Sequence, residues 1–391
     1  MAARRIMYVV TEDWFFLSHF RYMAEAAREA GYDVSVVARG GECAEEIRRL
    51  GFDFRPLDVA RSSMNPFSLA ANVLSLVREL RAERPEIVHL VALRSVLVGA
   101  VATLAVPGVR IVAAPTGLGY AWSNGGVKAG IIRGLVRVAM SSIRWRGGAF
   151  LFENRDDAAA FGTAPRASRR SVVVPGAGVD PAEFSALPLR PEGPLRVAVV
   201  GRMLRSKGIA TAVDAVRKAR ESGSDVDLDI YGAPDRENPE SFSETELEAF
   251  NRLPGVRWHG ATRDVRAALE RADVVMLLTR YREGVPRALI EGAAAGRALI
   301  ATDVPGCRDV VVHGGNGFLV PVDGAADAAA AHLNSLAQDR ALLARFGAAA
   351  RAHFLEGFTR AHVVEAVVAL YDGLVGRAAQ LRSSPRGADA A

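Results

Sequence analysis

Residues 187–208 read LPLRPEGPLRVAVVGRMLRSKG, and the fold turns on how this run is parsed. A proline-rich junction, Leu187 to Pro194, gives way to the short β-rich apolar run LRVAVVG. The run then opens into a basic loop bracketed by Gly201 and Gly208. A strand that ends in a glycine-bounded loop and leads into a helix is the opening unit of a doubly wound sheet. Upstream, RIMYVV, YDVSVVA, EIVHLV, RIVAAP, AFLFEN and SVVVPG read as strands, with helical patterns such as RYMAEAAREAG and NPFSLAANVLSLVRELRAE between most of them. Downstream, LRVAVVG, DVDLDIYG, VRWHG, DVVMLL, ALIATD and GFLVP repeat the alternation. The expected fold is therefore α/β: two Rossmann-like doubly wound parallel-sheet domains, residues 1–190 and 191–360, joined by the junction and facing across a cleft. A length of 391 residues suits two such cores. Residues 361–376 are expected to form a last helix packing back on the first domain, and 377–391 a disordered tail.

Composition removes several function classes. Lys and Arg number 49 against 44 Asp and Glu, a net charge of +5, too mild an excess to point to nucleic acid. The two cysteines, Cys43 and Cys307, lie far apart, fit no metal-type spacing and suit a reducing compartment. The opening MAARRIMYVV has too short an apolar run for a signal peptide. The longest apolar run, SVLVGAVATLAV, stops at Pro107, too short to span a bilayer, and reads as a buried helix. The expected location is cytoplasmic.

The chemistry gathers in REGVPRALIEGAAAGRALIATDVPG, residues 282–306. Glu283 and Glu291 stand eight positions apart among small residues. Pro286 suits the first position of a helix, so Glu283, Gly284 and Val285 form the turn at its N-terminus. Gly284 allows close approach of a ligand, and unpaired N–H groups with the helix dipole suit an anion. Glu291 then falls roughly 8 Å along the helix from Pro286, too far for an acid–base couple with Glu283. Acceptor-only carboxylates suit vicinal diols, and a nucleotide-sugar carries one at each end of a diphosphate. The alternative is a solvated loop acid and a surface helix acid. Arg202 and Lys207, after the first strand of this half, lie at the same sheet edge and would complete a diphosphate clamp. In DVDLD, Asp225, Asp227 and Asp229 alternate with apolar residues, which fits a half-buried strand with acids toward solvent better than a metal-binding motif.

GRMLRSKG, YGAPDRENPESF, VRWHGATRDV and the glutamate block together resemble the retaining glycosyltransferases of family four, with the GT-B fold, over about residues 5–376. RSSMNPF, PTGLGYAW and DRENP are similar to bacterial enzymes that extend undecaprenyl-diphosphate-linked sugars, notably N-acetylgalactosaminyltransferases. The resemblance implies that the first domain binds the acceptor and the second the donor, with no metal and no cofactor. It implies catalytic roles for Arg202, Lys207 and Glu283. The donor site would comprise Gly201, Arg202, Lys207, Gly232, His259, Gly260, Glu283, Gly284, Val285, Pro286, Leu289 and Glu291. Within it, Glu283 contacts the sugar, Glu291 the ribose, and Gly232 with His259–Gly260 borders the base. Many relatives carry a His after the strand that ends here at Pro115; this chain has Thr116-Gly117-Leu118-Gly119 instead.

In the first half, Trp14, Phe15, Phe16 and Leu17 form an apolar loop after the first strand, suited either to a lipid acceptor or to stapling the first helix. Ser18, His19, Arg94, Thr116 and Gly117 are the candidate acceptor residues. Val127 to Gly148 holds five cations and no acid, with Arg133, Arg137 and Arg144 on one stripe flanked by Val136, Met140 and Ile143. A basic helix over 127–146 fits an anionic membrane surface, or a core helix with a solvated face. The expectation is transfer of a hexose or N-acetylhexosamine from a UDP-linked donor to a polyprenyl-diphosphate-linked saccharide at the inner face of the cytoplasmic membrane. A nucleotide-sugar 2-epimerase of the same architecture and a non-enzymatic sugar-nucleotide-binding protein are the alternatives.

Overall fold

The computed structural model describes residues 4–57, 66–118, 122, 125–162, 170–190 and 192–376. The chain divides into two compact units. The first takes residues up to Thr116, Gly125–Val174 and the stretch from His362; the second takes Gly117–Asn124 and Pro175–Ala361. The division falls at Val174/Pro175 and not at residue 190. Val179 and Phe184, ahead of the proline-rich stretch, and Leu187 at its start are the reason, because they bury themselves in the second unit's core.

The first unit is built on a parallel sheet of strands β1 (Arg4–Glu12), β2 (Tyr32–Arg39), β3 (Asp53–Pro56), β4 (Ile87–Val91), β5 (Arg110–Ala114), β6 (Ala149–Phe152) and β7 (Ser171–Val173). Their order is β3-β2-β1-β4-β5-β6-β7. β3 went unread in the sequence because Asp, Arg and Pro interrupt its apolar residues. Central strands such as β4 are buried at every position, as strands covered on both faces must be. The core gathers Ile6, Tyr8, Val36 and Val112 with Val363, Val367 and Tyr371 of the helix Arg360–Val375. Tyr371 Oη lies 2.7 Å from Tyr8 Oη and 2.6 Å from His89 Nδ1, so one polar chain inside the core fixes this terminal helix. Burial lowers the His89 imidazole to about 3, and the ring is neutral at ordinary pH.

In the second unit β8 (Leu195–Val200), β9 (Val226–Tyr231), β10 (Val256–Trp258), β11 (Val274–Leu277), β12 (Ala298–Thr302) and β13 (Gly317–Val320) form a parallel sheet in the order β10-β9-β8-β11-β12-β13. Two cores cover its faces, and β11 shows the period of two: Val274 and Met276 join one, Val275 and Leu277 the other. Both sheets reverse their strand order once, between β1 and β4 and between β8 and β11. These reversals are the places where ligands bind in open α/β sheets.

Replacing Val367 with Ala should lower the stability of the first unit by about 1–3 kcal/mol, as expected for a buried apolar truncation. Hydrogen exchange should then speed up in β1 and β4 and stay unchanged in β8 and β11; equal acceleration in both sheets would contradict this assignment of the helix.

Candidate functional site

Each residue following β8 and β11 is placed by the backbone before its side chain matters. Gly208, at φ +73°, starts the helix Ile209–Glu221, and a Cβ there would sit 1.9 Å from the Leu278 carbonyl oxygen. Only glycine lets the loop after β8 lie this close to the end of β11. Across that contact Lys207 Nζ donates to both Glu283 oxygens at 2.8 Å. Thr279 Oγ1 donates to Glu283 Oε1, also at 2.8 Å. The two side chains are mostly buried, so the carboxylate is oriented by an ammonium and a hydroxyl. Glu283 is not the solvated loop acid of the alternative reading.

The Glu283–Gly284 turn is itself gripped from behind. Glu283 N–H donates to the Pro305 carbonyl at 3.3 Å, and a Cβ on Gly306 would fall 1.8 Å from the Gly284 oxygen. Pro286 is the N-cap, one position earlier than the sequence suggested, and its carbonyl accepts from Leu289 and Ile290 N–H. Val285 and Leu289 face the core. In the helix Arg287–Ala294, Glu291 is 4% exposed, which overturns the reading of a surface acid. Arg287 Nε donates to Glu291 Oε1 at 2.6 Å. Burial nevertheless pushes the Glu291 carboxyl above its ordinary range, against the pull of Arg287.

Arg202 pairs with Asp235, Nη1 to Oδ2 at 2.9 Å. Asp235 belongs to the DRENP loop, which is tied down further by Arg205 N–H to the Glu240 carbonyl and Tyr281 Oη to Glu240 Oε1. Gly201, Gly232 and Gly260 meet through backbone: Gly201 N–H donates to Tyr231 O and Gly232 N–H to Gly260 O. A Cβ on Gly232 would lie 1.7 Å from the Gly201 oxygen. His259 stacks on Tyr231 with centroids 4.6 Å apart, and its Nε2 lies 2.6 Å from Asp229 Oδ1. Asp227 meets Arg220 at 3.2 Å. Two of the three DVDLD acids are thus engaged with cationic or ring partners and do not point to open solvent; Asp225 remains mostly exposed. Gly117, grouped with the second unit, brings its backbone against the turn, since a Cβ there would lie 3.4 Å from Gly284 N.

In the first unit Ser18 and His19 lie in a π-helical turn, Phe16–Phe20, separated from β1 by the short helical turn Asp13–Phe15. Such turns favour functional positions. Ser18 Oγ lies 2.6 Å from His19 Nδ1. Phe16 and Phe20 are core residues, so this part of the apolar loop staples the helix. Arg94 stands in the first turn of the helix Ala92–Ala102, just past the end of β4, and burial lowers the pKa of its guanidinium. The helix opens on Ala92 at φ +69°, a strained conformation for a residue with a Cβ. Thr116 follows β5 with its Oγ1 buried and without a hydrogen-bond partner among the described residues. The residues flanking the β1/β4 reversal are thus Ser18, His19 and Arg94; Lys207 and Glu283 flank β8/β11. RSSMN, Gly119 and the tail 377–391 lie outside the described residues.

The sequence reading missed Thr279, Asp235 and Arg287. Arg287 had a signal: it precedes Glu291 by one helical turn, the spacing at which helix side chains meet. Asp235 is brought to Arg202 by the adjacency of β8 and β9, and Thr279 reaches Glu283 across a local turn of four residues.

Comparison with known proteins gives the following. A model described as "Glycosyl transferases group 1" matches residues 182–353, and one described as "Glycosyl transferase 4-like domain" matches residues 18–177. An N,N'-diacetylbacillosaminyl-diphospho-undecaprenol alpha-1,3-N-acetylgalactosaminyltransferase from Campylobacter jejuni is 23% identical, over 79% of this chain and 83% of that protein. The amylovoran biosynthesis glycosyltransferase AmsK from Erwinia amylovora is 31% identical over 45% of this chain and 44% of its own length. Among solved structures, a glycosyltransferase from Rickettsia africae superposes with a TM-score of 0.74 at 17% identity, covering 96% of this chain and 99% of that one. Anabaena Alr3699/HepE in complex with UDP-glucose gives 0.72 at 16% identity, covering 94% and 99%.

The raised Glu291 carboxyl makes a signed prediction. The native state keeps this proton to higher pH than the unfolded chain does. Stability therefore falls as pH rises from the ordinary carboxylate range through the raised value. Glu291→Gln removes that fall, so its melting temperature relative to the unaltered protein should climb with pH across this window. A difference that is flat or shrinks in a pH series of thermal melts would contradict the burial argument.

Proposed function

We infer the reaction from a single premise: the chain belongs to the family-four glycosyltransferases and has the GT-B fold. The donor is a nucleotide-sugar, UDP-linked, carrying a hexose or N-acetylhexosamine. It lies at the β8/β11 reversal with its diphosphate at the N-terminus of the helix Arg287–Ala294. The observation that carries this reading is the Lys207–Glu283 pair standing at that helix start, with Glu291 buried further along the same helix. Lys207, Arg202 and the Gly284–Val285 N–H groups stabilise charge developing on the departing diphosphate, a role that needs no metal. Glu283, fixed by Lys207 and Thr279, accepts from a hydroxyl of the donor sugar. Glu291 accepts from the ribose hydroxyls, and Gly232, His259 and Gly260 border the base. The solved relative that holds UDP-glucose supports this choice of donor class.

The acceptor is a polyprenyl-diphosphate-linked saccharide, bound at the β1/β4 reversal of the first unit by Ser18, His19, Arg94 and Thr116. Likeness to an enzyme acting on an undecaprenol-linked diphosphosugar supports that class. The reaction retains configuration. An acceptor hydroxyl bonds to the anomeric carbon on the face from which UDP departs, the carbon–phosphate-oxygen bond breaks, and the hydroxyl proton passes to the leaving phosphate. Such an acceptor places the protein on the inner face of the cytoplasmic membrane, where the basic helix 127–146 lies against the lipid.

Lys207→Ala and Glu291→Ala should each weaken UDP-sugar binding about tenfold or more, as expected for losing a charge-assisted contact. Titration calorimetry measures this, and unaltered affinity in both variants would remove the site. Transfer onto a lipid-diphosphate saccharide should survive excess EDTA; loss of turnover, restored by a divalent cation, would overturn the metal-free reading.

A further inference from the structure

Between Glu86 and Glu153 the sequence contains no acid and seven cations. In the first unit this run supplies two helices packed side by side, Ala92–Ala102 and Val127–Trp145. The apolar residues read from sequence as flanking the arginine stripe, Val136, Met140 and Ile143, are core. A different set faces outward: Ile131, Leu135, Val138 and Trp145 are 58, 50, 70 and 88% exposed. At ~100° per residue these four fall within an arc of roughly 80°. Exposed Lys128 stands on one flank of that arc and exposed Arg137 on the other. Val101 and Leu104, read from sequence as part of a buried helix, are 52 and 62% exposed beside it.

Among the described residues, nine of the twelve large apolar side chains that are most exposed lie on these helices, the turn Thr103–Ala105 and the adjoining helix Pro66–Glu83. A solvated helix face is polar, and this one is not. A self-complementary contact with a second copy through the helix Val127–Trp145 would bring like charges from two acid-free helices together. No helix among the described residues is long and apolar enough to cross a membrane. An apolar stripe edged by cations is instead the pattern of a helix lying in the headgroup plane.

We propose that this face inserts shallowly into an anionic lipid bilayer. Ile131, Leu135, Val138 and Trp145 enter the acyl boundary while Lys128 and Arg137 meet lipid phosphates. The purpose of this contact, reaching a lipid-linked acceptor, rests on the function proposed above; the contact itself rests on the exposed face. Because apolar insertion carries it, binding persists at high salt, where attraction by charge alone is screened.

The test is flotation of the full chain with vesicles of phosphatidylcholine and phosphatidylglycerol. The protein should float at low and at high salt. The combined variant Ile131→Ser, Leu135→Ser, Val138→Ser and Trp145→Ser should partition about tenfold more weakly or less still. All four positions are half-exposed or more, so folding should survive, which unchanged UDP affinity by calorimetry would verify. Arg133→Ser, Arg137→Ser and Arg144→Ser together should lose only the salt-sensitive part. The proposal is overturned if the apolar variant floats as well as the unaltered chain, or if the unaltered chain does not float. It is equally overturned if the apolar substitutions abolish a lipid-free dimer in place of vesicle binding. Vesicle binding without glycosyl transfer would leave this proposal standing and remove the function instead.

Discussion

An ammonium 2.8 Å from both oxygens of a carboxylate ties the loop after β8 to the turn after β11. These strands are neighbours in the sheet although β9 and β10 separate them in sequence. The pair therefore exists only because the sheet reverses its order between them. Two backbone approaches let it form. Gly208 passes against Leu278, and Gly306 against Gly284, at separations no side chain tolerates. A mostly buried ion pair is a poor source of stability, because desolvation offsets the attraction. Its value here is positional: it orients a carboxylate just ahead of the helix Arg287–Ala294.

Glu291 extends the same logic along the helix. A buried carboxyl shifted upward by desolvation costs stability at neutral pH, and Arg287 offsets only part of that cost. Groups held in such unfavourable surroundings concentrate where a ligand completes them. In the proposed reading, the diol of a ribose supplies two donors to this carboxylate, whose own helix gives it Arg287 as a charged partner. The first unit shows a weaker version of this economy of position. There a π-helical turn presents Ser18 and His19 after β1, and a strained Ala92 turns the chain after β4.

Much of this was legible in the sequence, for physical reasons that can be named. Both sheets follow from apolar runs alternating with helical periodicity, and the glycines at 201, 208 and 284 mark close backbone approaches. The eight-residue interval between Glu283 and Glu291 set them at two ends of a helix start, and both prove to be enclosed acids. What escaped depends on three-dimensional adjacency. Asp235 reaches Arg202 across neighbouring strand ends, and Thr279 reaches Glu283 across a turn. β3 escaped because polar residues break its pattern. The basic helix was seen, but its outward side was misjudged. A helical wheel shows which residues share a face and not which face the core takes. Burial alone reveals that Met140 points in and Trp145 out.

The central claim is that a nucleotide diphosphate occupies the β8/β11 reversal of the second unit. Hydrogen exchange of the whole chain with and without UDP addresses it most directly. The account predicts slowed exchange of the amides in Gly201–Gly208 and Glu283–Leu289, with β1, β4 and their following turns unchanged. Protection confined to the first unit, or spread evenly over both, would contradict it.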